Sequence, residues 1–309
     1  MTAAEHELLK QEPSGFPFRR GRLLIMALQF FAVGDESGIQ DGAPYCLVCG
    51  YSGSAKEWDA FEPQWQSVLD DAGVERFHAT EFFGRDRRGR RLGPYANWTD
   101  DDAARFLERL AGAINQRRLR PIGVAVDVAA FNGLTEGERR FLTGGFWMTR
   151  NRSEGRWIRS TGAPNKPYYL AFQYFLQQAA RHSPKDAQIN FLFDRQDVLE
   201  AHAVKVFKEI AERGLIIDGD KKNLRRLAFG SSRDDPALQA ADLRVNTWYG
   251  TLTRENTVEA MGWERVHAMN LLTKKKKSSL MGVMTKEVLD KMLSGYLPNE
   301  VRKTLQDLA

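Results

Sequence analysis

The chain holds only two cysteines in 309 residues, and both, Cys46 and Cys49, lie in the stretch YCLVCGY. A four-ligand zinc site needs a second pair of Cys or His at matching spacing, and none follows. Positions three apart in a strand face opposite sides, so two reduced, structural thiols are expected. Long apolar runs are missing as well: no window approaches the ~20 residues of a membrane span. The first apolar run, LLIMALQFFAV, follows Arg19, Arg20 and Arg22 as a signal core would, yet no small-residue cleavage site comes after it. A cytoplasmic protein without a membrane partner is the expectation. Internal repeats are absent and low complexity is confined to Lys274–Lys277, which excludes solenoid and disordered-array architectures.

What is present is ordinary for a folded globular chain: 42% hydrophobic and 28% charged residues. The length permits one large domain or two smaller ones. A net charge of +5 tolerates an anionic partner without demanding one.

Apolar runs bounded by turn residues predict five strands. They are Gln29 to Asp35, Pro44 to Tyr51, Pro121 to Phe131, Ala187 to Asp194, and LRRLAFGSS from Leu224. Helices are expected at Ala55 to Ala72 with Ser54 as cap, and from the Thr99 cap to Gln116, where three aspartates suit the helix N-terminus. Others follow at PYYLAFQYFLQQAARHS up to Pro184, at Val198 to Arg213, and from Pro236 onward. Thr135 to Lys166 reads as a polar, Arg-rich connection. Short links predict antiparallel pairing for the first three strands, and a helical crossover makes the last two parallel. The domain reading is a peripheral leader over 1–27, with Met26 as a candidate start, a central α/β domain over 28–252, and a helical extension over 253–309.

Acids mark the strand ends. LQFFAVGDESG places Asp35 where one apolar strand stops, and NFLFD places Asp194 where another stops. If these strands are parallel neighbours, both carboxylates reach one sheet edge, where α/β proteins place their chemistry. Two such acids repel unless a proton, a base or a cation lies between them, and an oxygen-only site suits magnesium or manganese. Asp242 in LQAADLR borders an apolar helix face and needs a partner. Glu81 and His78 in FHATEFF are flanked by aromatic residues that pull the segment inward. Asp127, by contrast, reads as an outward or salt-bridged residue.

DESG after an apolar strand, FHATEFF, a strand ending FLFD, and LQAADL on a late helix together resemble the domain of unknown function 3800 family, over about Phe30 to Tyr249. The resemblance implies a ribonuclease H-like fold, here a five-stranded mixed sheet with flanking helices. It also implies a metal-dependent nuclease centre with Asp35, Glu81, Asp194 and Asp242 as its acids. Hydrolysis of a DNA or RNA phosphodiester by two Mg2+ or Mn2+ ions, with Asp35 shared between them, is the chemistry that follows. His78 would carry a proton or bind a phosphate, and Gln239 would orient Asp242 or the attacking water. In ribonuclease H the second acid follows three strands, whereas Glu81 follows two strands and a helix. Glu36 is the substitute, although strand alternation points it away from Asp35.

The loop Gly84 to Trp98 offers Arg85, Arg87, Arg88, Arg90 and Arg91 for phosphates, with Tyr95 and Trp98 as rings for stacking on bases. Arg139 to Arg159, with Trp147 and Trp157, is a second such strip. Two rivals stand beside the nuclease. One is a non-catalytic nucleic-acid-binding or toxin/defence-system module. The other is a phosphatase using Asp35 as nucleophile, for which Ser37 stands where a second aspartate is usual.

Overall fold

A computed structural model describes residues 28–149, 156–159, 162, 164–253, 262–273 and 280–296. The proposed leader and Lys274–Lys277 lie outside the described residues. Two uninterrupted apolar strands begin the fold: β1 (Gln29–Ser37) and β2 (Tyr45–Ser54) form an antiparallel hairpin. Next in the chain are α1 (Ala55–Asp71), the short α2 (Ala79–Phe83) and α3 (Asp100–Asn115). Ser54 precedes α1 but its hydroxyl makes no capping bond. Thr99 caps α3 as the TDDD sequence predicts, and Asp102 reciprocates to close a capping box.

β3 (Arg120–Asp127) pairs antiparallel with β2. It stops at Asp127, earlier than the sequence suggests, because that carboxylate accepts the Ala130 N–H and caps α4 (Val128–Asn132). The described part of the Arg-rich connection contains regular elements. It holds α5 (Glu136–Leu142), also started by a capping box, and a hairpin of β4 (Phe146–Thr149) and β5 (Arg156–Arg159). Then come α6 (Pro167–His182), β6 (Gln188–Asp194), α7 (Asp197–Arg213), β7 (Leu215–Ile217), β8 (Asp220–Gly230) and α8 (Pro236–Thr253). α9 (Trp263–Thr273), β9 (Leu280–Met284) and α10 (Lys286–Tyr296) complete the described chain.

The main sheet has seven strands in the order β7-β8-β6-β1-β2-β3-β9, so the expectation of five is corrected. β1, β6 and β8 run parallel to one another, while β2 runs antiparallel to its neighbours. The two additional strands are edges. β7 turns into β8 through Asp218 and Gly219, both with positive φ, the two-residue turn for which Asp-Gly is suited. β9 lies parallel to β3, so the region read as a helical extension also contributes to the sheet.

Side-chain alternation splits the core into layers. Phe30 and Ala32 face α6 and α7, whereas Phe31 and Val33 face α1, α3 and α8. Cys46 and Cys49 are buried free thiols in different clusters, as opposite-facing positions should be. Among the described residues no helix is long and apolar enough to cross a membrane.

Candidate functional site

Strand direction brings the first two acids together. The parallel β1–β6 register sets Gly34 beside Phe193, so Asp35 and Asp194 emerge next at the same sheet edge. The chain must then leave at once. Gly38 turns it with φ +74, and a Cβ there would lie 1.9 Å from the Tyr45 carbonyl oxygen, so only glycine fits. α8 lies against β1 and β2 and delivers Asp242, which lines the same cavity, of about 230 Å3. Its walls are Asp35, Glu36, Ser37, His78, Thr80, Asp194, Gln196, Ser232, Asp242, Val245 and Asn246.

Each acid sits in a different environment. Asp194 accepts the Ser232 N–H at 3.0 Å. Asp242, 8% exposed, accepts the Ala79 N–H at 2.7 Å, which is the partner that its place on an apolar helix required. Burial nevertheless pushes its carboxyl up to about 6; Asp194 adds to the rise, and the Ala79 N–H and His78 oppose it. Asp35, 7% exposed, has its Oδ1 bonded by the Glu36 N–H at 2.8 Å. Burial holds its carboxyl well above the usual range, reinforced by Glu36, Asp242 and Asp194. Glu36 is raised to about 8, first by burial and then by Asp194, with the Gln196 side chain opposing. Each departure favours the protonated acid in the absence of a neutralising charge.

Glu36 and Asp35 do face opposite sides of β1, yet both line the cavity because the strand ends there. Glu81 is placed elsewhere. Its carboxylate lies 3.2 Å from Arg76 and 3.5 Å from His78 Nδ1, and it is Thr80 that faces the cavity. His78 reaches the rim with its side chain 37% exposed. Gln239 is not beside the acids. Its Oε1 accepts the Trp65 Nε1–H at 2.9 Å and the Phe77 N–H at 3.0 Å, so it fastens FHATEFF to α1 and α8. Sequence reasoning passed over Ser232 and Asn246; Asn246 had a signal, standing one helical turn beyond Asp242.

The basic loop is more structural than its composition suggests. Arg91 is buried, 3.0 Å from Glu264 and 2.6 Å from Asp100, and Arg85 also pairs with Glu264. Arg90 pairs with Asp86 at 2.8 Å. Tyr95 is fully buried and Trp98 packs edge-on against it and against Phe106, which removes Tyr95 as a stacking platform. Arg87 and Arg88 stay exposed. In the second strip, 150–155 lie outside the described residues.

Three aspartates and a glutamate make an oxygen donor set suited to a hard divalent cation. As the side chains lie, no three acids, histidines or cysteines among the described residues group closely enough to hold one. No Lys or Arg occurs among the described lining residues, so the carboxylates have no neighbouring cation from the chain inside the cavity. Comparison of the chain with protein-family models, curated proteins and solved structures finds no match, so the site's chemistry carries the functional reading.

Proposed function

We propose that the chain is a cytoplasmic, divalent-cation-dependent nuclease of ribonuclease H-like fold, hydrolysing phosphodiester bonds of DNA or RNA. The observation that carries this is the meeting of Asp35, Asp194 and Asp242 at one cavity whose described lining residues include no Lys or Arg. Buried carboxylates need a proton or a cation, and a carboxylate-lined cavity can hold an anionic phosphodiester only with a cation between them. The inner five strands, β3-β2-β1-β6-β8, follow the hairpin, third strand and two crossover strands that the ribonuclease H-like element order requires, which supports the fold reading. Membership of the domain of unknown function 3800 family rests on the four sequence motifs.

Mg2+ or Mn2+ would be held by Asp35, Asp194 and Asp242, and when bound would polarise the phosphate and lower the pKa of a water. The remaining tasks belong to the chain. The Ser232 and Ala79 N–H groups orient Asp194 and Asp242. His78, at the rim and not among the buried acids, is placed to pass a proton to the leaving oxygen. Arg87 and Arg88 are available for phosphates of a nucleic-acid strand.

Asp35→Asn and Asp194→Asn should each abolish Mg2+-dependent cleavage of single-stranded, duplex and hybrid nucleic acids while leaving the melting transition in place. Activity retained in both variants rules the nuclease out. Wild-type protein that binds these polymers without turnover points instead to a non-catalytic module.

A further inference from the structure

We propose that Glu36, not Glu81, supplies the fourth acidic ligand of the cation site. The inference rests on the cation reading of Asp35, Asp194 and Asp242, and goes beyond it by naming the residue that completes the set. Glu36 is 9% exposed, lines the cavity, and has neither carboxylate oxygen in hydrogen-bonding geometry with a donor, Gln196 being the polar side chain that approaches it. A carboxylate buried in that state caps no helix and pairs with no arginine or lysine, so it lacks the structural task that normally keeps a charged group inside a fold. Asp35, Glu36 and Asp194 all line the one cavity, and Asp194 is an electrostatic neighbour of both of the others.

Glu81 has the contrary environment. Arg76 at 3.2 Å already neutralises it, its side chain is 33% exposed, and it lies outside the cavity wall. A cation would have to displace that arginine before using Glu81. Its carboxylate stands 3.5 Å from His78 Nδ1, an ion-pair distance rather than a hydrogen bond. The family resemblance led to Glu81 by motif, whereas the tertiary structure brings the adjacent residue of DESG into the cavity.

The test is calorimetric titration of Mn2+ alone into wild-type protein, E36Q, E81Q and D35N, with melting in EDTA as a second readout. E36Q should weaken Mn2+ binding by about tenfold or more, since a direct ligand is worth at least what an outer-shell partner is. E81Q should bind Mn2+ as the wild type does. In EDTA, E36Q should melt at or above the wild-type temperature, because it removes an unneutralised buried acid; a purely structural Glu36 would give the reverse. E36Q binding Mn2+ normally, or E81Q losing as much affinity as E36Q, overturns the assignment. Should E36Q not fold, E36D, which keeps the charge but withdraws the carboxylate by one methylene, takes its place: weakened affinity in E36D with normal affinity in E81Q upholds the assignment, and normal affinity in E36D or lost affinity in E81Q overturns it. Loss of binding in D35N with normal binding in E36Q leaves the nuclease reading standing and removes only Glu36. A wild-type protein that binds no Mn2+ removes both.

Discussion

Gln239 separates a positioning role from a chemical one. Its side-chain carbonyl accepts two buried donors, the Trp65 indole N–H and the Phe77 backbone N–H. Gln239→Leu keeps the helix and much of the volume but leaves both donors without an acceptor. A buried donor so orphaned costs about 1–3 kcal/mol. Two of them, less the gain from the added apolar contact, give about 3 kcal/mol, a sizeable share of a typical domain stability of about 5–15 kcal/mol. The loss would be read as a lower urea midpoint with unchanged m-value. The Phe77 bond also holds the segment that continues into His78 and Ala79, whose N–H orients Asp242. Turnover and Mn2+ affinity should therefore fall together with stability, and partial activity should persist at low temperature. Lost turnover with a stability unchanged to within about 0.5 kcal/mol would refute this reasoning, because it would mean that Gln239 acts on substrate or water directly.

Two further outcomes follow from charges away from the cavity. Glu264→Gln removes the carboxylate shared by Arg85 and the buried Arg91 while Arg91 keeps Asp100, so stability should fall by about 1–3 kcal/mol; a melting temperature equal to wild type would show that Asp100 alone satisfies Arg91. Burial, aided by Arg120 and Arg181, pushes His182 down from 6.5 to about 4. The unfolded chain takes up that proton before the folded one does, so the contribution of His182 is intact above pH 6.5 and is lost as pH falls toward about 4. His182→Gln should gain on the wild type within that window, and a melting difference that ignores pH would refute the assignment.

Local pattern was enough for much of the fold. Apolar runs, the TDDD cap and Pro184 located β1, β2, β6, α3 and α6 to within a few residues, because burial on both faces and capping leave marks inside a short window. The same runs, ending in Asp35 and Asp194, marked the sheet edge where the cavity lies. Short edge strands escaped notice. β9 is five residues and β7 three, too brief for a periodic signal, and only the Asp218-Gly219 turn advertised the latter. Tertiary packing decided everything that depends on which distant group stands opposite. It turned Glu81 toward Arg76, committed Gln239 to Trp65, buried Arg91 against Glu264, and set Glu36 in the wall of the cavity. A sequence specifies the charges it carries and the period with which they repeat. Whether a carboxylate meets an arginine, an N–H or another carboxylate is settled only when elements far apart in the chain come within a few ångströms, since electrostatic and hydrogen-bond energies depend on that distance and on the water excluded around it.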